Sequence, residues 1–287
     1  MVGQSRARLN YLRGNGAARA AAYTAAHAVP DRLARQEVAR AARHESGRLG
    51  GARRRLAAPF VETGRAQASR ELVLALCKGL EVPLRSRNEL LLAAGFAPRY
   101  RETALAAPEM AEVRRALHFM LRQQEPYPAI VLDRHWNVLQ ANEAMSRVLR
   151  LFMSDAEAAA AGAPNIMRLT YHPAGLRSWI VNWEETASAY IQWLHRDLLR
   201  TGDAQTAALL DELLGYPRVP REWLALDLDA STAPFLAMAF HKGDVRLDFF
   251  TTIASLGTPY DITLHELRIE CFFPADEATD AGLRRLA

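Results

Sequence analysis

The 287-residue sequence lacks any uninterrupted apolar run that approaches the ~20 residues needed to span a membrane. Its basic N-terminus is not followed by the apolar stretch of about 7 to 15 residues that a secretory signal requires. We therefore expect a cytoplasmic protein with no membrane partner. The sequence also has only two cysteines, Cys77 and Cys271. Two cysteines cannot build a disulfide framework or a thiolate metal site by themselves, so we expect both to be buried as small apolar side chains.

Several sequence motifs of catalysis are also missing. The chain has no phosphate-binding loop, no glycine-rich dinucleotide turn and no serine hydrolase elbow. None of its eight histidines is paired at a spacing typical of a helical metal site, so we expect neither a metal nor a cofactor. His172 could act as a base, but no nucleophile or carboxylate partner is identifiable beside it. We expect a structural or ligand-contacting histidine, and no enzyme.

The positive charge is concentrated at the start of the chain. Residues 1–59 contain twelve Arg and no Lys against three acidic residues, a net charge of +9, whereas the whole chain carries +4. The rest is therefore acidic, at −5. A basic segment on an acidic body can mark contact with nucleic acid. Its apolar residues are too scattered for one helical stripe, so disorder or loose helix and a folded domain both remain open.

Residues 60–122 have a more regular helical pattern. Ser69 can cap a helix at Arg70 to Gly79, whose apolar residues recur on one face. The spacing of Ser86 and Glu89 is typical of a capping box, which predicts a second helix ending at Gly95. A linker is expected at residues 98–108, followed by a helix from Glu109 to Arg122.

The larger part of the chain begins with a predicted β-hairpin. Ile130 to Leu132 and Trp136 to Gln140 have strand patterns, and Asn142 is a natural N-cap for a helix over residues 143–152. Apolar residues then recur every three or four positions over residues 174–201, which predicts the longest helix, ended by Gly202. A further helix is expected at Ala204 to Leu214.

The last part of the sequence changes from a helical period to a period of two. Strands are predicted near residues 235–240, 245–253 and 267–273, with turns at residues 242–244 and 257–259. In the last of these strands Arg268 and Glu270 alternate with the apolar residues. Together with the hairpin this predicts an α+β fold, with an antiparallel sheet of about five strands and helices on one face.

The content of aromatic residues around the longest helix and the sheet is high. Core packing explains it, but part of the apolar volume could instead be a ligand pocket with a few polar contacts. Sequence alone leaves the two open. The candidate ligand-binding residues are Trp136, Asn142, His172, Trp179, Asn182, Trp183, Phe249 and Phe272.

Two blocks of the sequence resemble a known family. FVETGRAQASRE, from Phe60, with the following LVLALCKGLEVPLRSRNELLLAAGFAPRY resembles the second half of a Cro/repressor-type helix-turn-helix domain. The body is similar to the ligand-binding domain of the MmyB-like transcription regulators in four segments, YPAIVLDRHWNVLQANEA, NIMRLTYHPAGLRSWIVNWEE, LLDELLGYP and LGTPYDITLHELRIECFFPADE. The resemblance covers residues 60–276.

The resemblance implies a bacterial DNA-binding regulator that forms a homodimer. Its C-terminal domain would have a PAS-like fold and bind a small apolar ligand such as a fatty acid. In the helix-turn-helix part, the candidate phosphate contacts are Arg65, Gln67, Ser69 and Arg70, for which helix capping and solvation are the alternative roles. The implied organisation is a basic segment (1–59), half of a helix-turn-helix domain (60–97), a linker (98–108), the PAS-like domain (109–276) and a tail (277–287).

Residues 1–59 depart from the family pattern. Family members carry a Ser-Gln-x-x-Leu-Ala type helix and a recognition helix here, whereas this chain reads LARQEVARAARHESGRLGGARRRLAAP, with glycines inside and Pro59 at the end. Gly and Pro cost about 1 and 3 kcal/mol inside a helix. We interpret the segment as a shifted reading frame, with natural divergence as the alternative. An alternative function is a stand-alone ligand-binding or dimerisation module that has lost sequence-specific DNA binding.

Overall fold

The computed structural model of the chain describes residues 69–161, 164–225, 235–257 and 260–287. The predictions for residues 1–59, including their order and reading frame, lie outside the described residues. So do two of the candidate phosphate contacts, Arg65 and Gln67.

The described residues form two compact units. The smaller holds residues 69–102 with two short segments, 197–203 and 260–262, and the larger holds the remaining described residues.

The smaller unit contains helices α1 (Arg70–Gly79) and α2 (Leu84–Ala93). The prediction of α1 is confirmed at both ends. Its N-cap is Ser69, whose hydroxyl accepts a hydrogen bond from the amide of Leu72 at 3.2 Å. Between the helices, Cys77, Leu80 and Val82 are buried together, which confirms the apolar role expected for Cys77. The full burial expected for Cys271 is wrong, since it is only partly buried.

The predicted capping box at Ser86 is wrong. Helix α2 begins two residues earlier, at Leu84, directly after Pro83. The buried side chain of Leu84 anchors this earlier start, and Ser86 lies inside the helix with 3% of its surface exposed. Its hydroxyl is therefore in the wrong place to cap the first turn.

The larger unit begins with a 3-10 turn (Pro108–Met110), helix α3 (Ala111–Gln123) and the predicted hairpin of β1 (Ala129–Leu132) and β2 (Val138–Ala141). Asp133 makes the turn, because its Oδ1 accepts hydrogen bonds from the amides of His135 and Asn137. Trp136 lies in this turn at a φ of +67°, so it is not part of the strand in which the sequence pattern placed it.

Three helices follow the hairpin: α4 (Glu143–Phe152), α5 (Asp155–Ala160) and α6 (Ile166–Tyr171). Asn142 caps α4 as predicted, since its side chain accepts a hydrogen bond from the amide of Met145. Ser154 and Glu157 cap α5 reciprocally, each side chain accepting from the other residue's backbone amide.

Helices α7 (Trp183–Thr201) and α8 (Ala204–Leu214) come next. The end of α7 before Gly202, at a φ of +59°, and both ends of α8 are as predicted. The predicted start of α7 at Ala174 is wrong. The chain turns sharply at Gly175, where a Cβ would collide with the carbonyl oxygen of Leu169. The following residues form a 3-10 turn and a short bridge from Ile180 to the sheet.

A short 3-10 turn (Arg221–Leu224) precedes the last three strands, β3 (Leu236–Lys242), β4 (Val245–Ala254) and β5 (Arg268–Pro274). The sheet order is β2-β1-β5-β4-β3, with every neighbouring pair antiparallel. The predicted α+β class and five-stranded antiparallel sheet are confirmed. β5 is the central strand, which matters below because both of its faces are covered.

Two further helices, α9 (Ile262–Glu266) and α10 (Glu277–Leu286), were not predicted. α9 lies between β4 and β5, so these strands are joined by more than the simple turn expected at residues 257–259. α10 occupies the segment expected to be a tail. Asp276 caps it by accepting from the amide of Thr279 at 2.7 Å, and Leu283 is buried.

Helices pack on both faces of the sheet. On one face, Leu117 and Leu121 of α3 are buried with Ala129, Val131 and Ile269. On the other face lie α4, α6 and α7, so the structure adds α3 to the single helical layer that the sequence predicted. Within the described part of the chain, no helix combines the length and the apolar character of a membrane span.

Candidate ligand-binding site

A small apolar cavity lies between the second helical layer and the sheet. Its volume is about 20 Å³, close to the roughly 10 to 15 Å³ that one water molecule needs. From the helices it is lined by Met145, Val148, Leu149, Phe152, Ile166 and Thr170. From the sheet it is lined by Met238, Phe240, Phe249 and Phe272, and Pro128, Leu176 and Tyr190 complete the wall.

The spacing of apolar residues in α4 explains the helical wall. Met145, Val148, Leu149 and Phe152 recur at positions i, i+3, i+4 and i+7, which places all four on one face of the helix. Because Asn142 fixes the first turn of α4, it also fixes the direction in which this face points.

The wall formed by the sheet is a row of aromatic rings. Phe240 lies 5.1 Å from Phe152, between ring centroids, and 6.1 Å from Phe249 in an edge-to-face contact. Phe249 in turn meets Phe272 edge to face at 6.0 Å. These rigid rings hold the sheet side of the cavity in place, whereas Met145 and Met238 are flexible side chains that can repack around a ligand.

A buried carboxyl group lies next to this apolar wall. Glu270 is on β5, on the same face as Phe272, and none of its surface is exposed. Its Oε1 lies 3.5 Å from the hydroxyl of Tyr190, and within the described residues its Oε2 has no hydrogen-bond partner. Burial raises the pKa of Glu270 to about 7. Burial also raises the pKa of Tyr190 well above its ordinary value of 10.

A comparison with models of protein families identifies the family to which this part of the chain is similar. The model of the MmyB-like transcription regulator ligand binding domain matches residues 113–286. The chain belongs to this family. No match was found among curated proteins.

Two of the candidate ligand-binding residues line the cavity of this MmyB-like domain. They are Phe249 and Phe272, which are only 2% and 5% exposed. The remaining six candidates do not line the cavity, and their side chains make contacts with other parts of the protein.

Asn142 is buried in a set of hydrogen bonds to the protein backbone. Its Oδ1 accepts from the amides of Ala129 and Met145, both at 3.0 Å. Its Nδ2 donates to the carbonyl oxygens of Tyr127 at 2.8 Å and Leu121 at 3.3 Å. These four bonds use the donors and acceptors of the amide, so its role in the MmyB-like domain is structural.

Trp136 packs between other side chains and does not line the cavity. Its ring stacks on Trp193 at 6.0 Å, and the guanidinium of Arg268 lies 4.4 Å from its centroid. Tyr190 packs beside it at 5.8 Å. Among the described residues, its Nε1 has no hydrogen-bond partner.

Asn182 and Trp183 lie instead at an open surface cleft of about 890 Å³ at the start of α7. Asn182 is tied to β3, since its Nδ2 donates to the carbonyl of Ala237 and its Oδ1 accepts from the amide of Ala239. Trp183 donates from Nε1 to the carbonyl of Thr170, and Arg177 lies 3.9 Å above its ring. Both residues therefore anchor the segment that leads into α7.

His172 and Trp179 are partly exposed and make local contacts. Nδ1 of His172 accepts a hydrogen bond from the amide of Ala174 at 3.1 Å, and its ring meets Tyr216 edge to face. The ammonium group of Lys242 lies 4.7 Å above the ring of Trp179. Neither residue lines the cavity.

The two described candidates for DNA contact lie at the start of α1. Ser69 is exposed and is the N-cap, and Arg70 is the first residue of the helix. The serine hydroxyl has the capping role that the sequence offered as an alternative.

Sequence reasoning missed Tyr190 and Glu270. Both stand at positions that the patterns describe as ordinary: Tyr190 is one of many apolar residues on α7, and Glu270 alternates with apolar residues as an exposed residue would. The polar face expected for β5 is wrong at Glu270, because a central strand is covered on both faces. No local pattern marked either residue, because the strands that flank β5 are known only from the sheet order.

Proposed function

We propose that the chain is a DNA-binding transcription regulator whose C-terminal domain senses a small apolar ligand. The observation that carries this proposal is the cavity at the centre of the MmyB-like domain, lined almost wholly by apolar side chains from α4, α6, α7 and the sheet. Such a lining is the usual composition of a small-molecule site.

The size of the cavity indicates how a ligand would act. Ligand sites commonly have volumes of about 300 to 1,000 Å³, whereas this cavity has about 20 Å³. A ligand with a long apolar chain must therefore displace side chains and move α4 away from the sheet. Met145 on α4 and Met238 on β3 are the residues best suited to give way. The ligand-bound and ligand-free domains would then differ in the packing of α4, which is the difference that a sensor needs.

A fatty acid is the ligand that the family resemblance implies, and the apolar lining of the cavity is suited to its hydrocarbon chain. In the same proposal the protein acts as a homodimer, and α1 belongs to the domain that binds DNA. Arg70 is the phosphate contact that we propose on α1, and its position in the first turn supports this because helix N-termini and Arg side chains both favour anions.

Fluorescence anisotropy of the full chain on labelled DNA from upstream of its own gene tests DNA recognition. A scrambled duplex serves as competitor, and both are measured over a salt series. A specific regulator binds its own site at least ~1000-fold more tightly than the scrambled duplex. Equal, salt-sensitive binding to both duplexes, or no binding, would instead support a ligand-binding module without sequence-specific DNA recognition.

A further inference from the structure

A buried carboxyl group behind the aromatic wall of the cavity constrains the chemistry of the ligand. Glu270 faces the helical layer from the central strand β5, opposite Ile130 on β1 and Ile253 on β4. It is completely buried. Buried carboxyl groups normally have both oxygens paired or hydrogen-bonded, so one with an oxygen that lacks a partner marks a candidate functional site.

The Thr251 hydroxyl lies close enough to Glu270 to lower the pKa of the carboxyl group, yet both side chains keep unused hydrogen-bonding capacity. Within the described residues, neither Oε2 of Glu270 nor the hydroxyl of Thr251 has a hydrogen-bond partner, and Thr251 is only 4% exposed. Arg268 on the same strand stacks over Trp136, and its charge lowers the pKa of Glu270 by less than burial raises it. A native core leaves few such groups unsatisfied.

Neither group lines the cavity itself, but both lie next to residues that do. Thr251 lies opposite Phe272 in the register of β4 and β5, and follows Phe249 on the same face of β4. Both phenylalanines line the cavity. Tyr190 also lines it, and its hydroxyl is the group that approaches Glu270. The unsatisfied oxygens therefore lie directly behind the aromatic wall of the sheet.

We propose that the cavity selects an apolar chain with a neutral hydroxyl head, as in a long-chain alcohol. The hydroxyl would donate to Oε2 of Glu270 and accept a hydrogen bond from Thr251. An ionised carboxylate head has no proton to donate and would face the negative charge of Glu270. A fatty acid would consequently bind in its protonated form, whose O–H group has the same chemistry as an alcohol. This inference rests on the proposed ligand-sensing function and specifies the ligand class.

Competition against the neutral dye Nile red, bound to the full chain at about pH 8, tests the inference. Decanol and decanoate have chains of equal length and differ in the head group. We expect decanol to displace the dye at a concentration at least about tenfold lower than decanoate, because a site built for a hydroxyl rejects an analogue without the donor. Decanoate displacing the dye as well as decanol would overturn the inference and leave the proposed function standing. Displacement by neither would overturn both.

Two variants assign the selectivity to the named groups. Glu270→Gln removes the charge but keeps the shape, and we expect the preference for decanol to fall below about threefold. Thr251→Val removes the hydroxyl alone. It should weaken the binding of decanol severalfold and leave the binding of decanoate unchanged. The exposed Glu222→Gln is the matched control and should keep the wild-type preference. A wild-type preference in both Glu270→Gln and Thr251→Val would overturn the assignment.

Discussion

The hydroxyl of Tyr190 on α7 lies 3.5 Å from Oε1 of Glu270 on β5, so the helical layer and the sheet make a polar contact within an apolar core. Both residues are fully buried. The contact links the helix that lines one side of the cavity to the strand that lines the other.

The buried carboxyl predicts a specific dependence of stability on pH. Burial raises the pKa of Glu270 from 4.5 to about 7, so between these values the folded state holds a proton that the unfolded state releases. The free energy of unfolding should therefore fall as pH rises through this window and level off above about pH 7. The difference corresponds to about 3 kcal/mol. The side chains of Thr251, Tyr190 and Arg268 act to lower the pKa of Glu270, but the effect of burial is larger and sets the direction.

Urea unfolding at about pH 5 and pH 8 measures this effect. The carboxyl groups with lowered pKa values, such as Asp276 and Asp280, titrate below the window and do not contribute. Glu270→Gln should abolish most of the fall in stability. A fall of the same size in wild type and Glu270→Gln would contradict the prediction.

The hydrogen bonds of Asn142 predict a large cost for its removal. Asn142→Ala leaves two buried amides, one buried carbonyl and one partly buried carbonyl without the Asn142 side chain, and removes the cap of α4. We expect a loss of about 3 kcal/mol in the free energy of unfolding. Ser154→Ala, at the exposed cap of α5, is the matched control and should cost about 1 kcal/mol. Equal losses in the two variants would show that Asn142 does no more than cap its helix.

Filling the cavity should prevent ligand binding. Leu149 lines the cavity but is only half-buried, so Leu149→Trp can occupy the ligand's space at a stability cost of about 1 to 3 kcal/mol. We expect the variant to lose Nile red binding. Leu139→Trp, at an exposed position of β2 away from the cavity, should bind like the wild type. Retained dye binding in Leu149→Trp would place the ligand elsewhere.

Arg70 predicts a measurable electrostatic contribution to DNA binding. If it contacts one phosphate, Arg70→Gln weakens binding to all DNA sequences and lowers the slope of log affinity against log salt by about 0.9. The exposed Arg285→Gln near the C-terminus carries the same change of charge and should leave the slope unchanged. An unchanged slope in Arg70→Gln would show that the start of α1 does not touch the backbone of DNA.

Local patterns predicted much of the fold. Ser69 and Asn142 are N-caps, Gly202 ends α7 and Gly243 makes a tight turn, because each of these roles depends on residues close in sequence. The alternation of apolar residues was sufficient to predict the order of the three-strand meander.

The remaining features depend on residues distant in sequence. Apolar periodicity continues through Leu176 and Ile180 although the chain there is not α-helical, because these residues are buried by other contacts. The same limit applies to the site: Phe249 and Phe272 were found because aromatic residues are conspicuous, whereas Glu270 became a candidate only when the sheet order placed β5 at its centre.

The central claim is that a ligand in this cavity changes the binding of DNA, and one titration tests it most directly. Anisotropy of labelled upstream DNA is measured with the full chain, with and without saturating decanol, in wild type and in Leu149→Trp. We predict that decanol changes the DNA affinity of the wild type at least about fivefold and leaves that of Leu149→Trp unchanged. The same DNA affinity with and without decanol in the wild type, under conditions where decanol displaces Nile red, would contradict the claim.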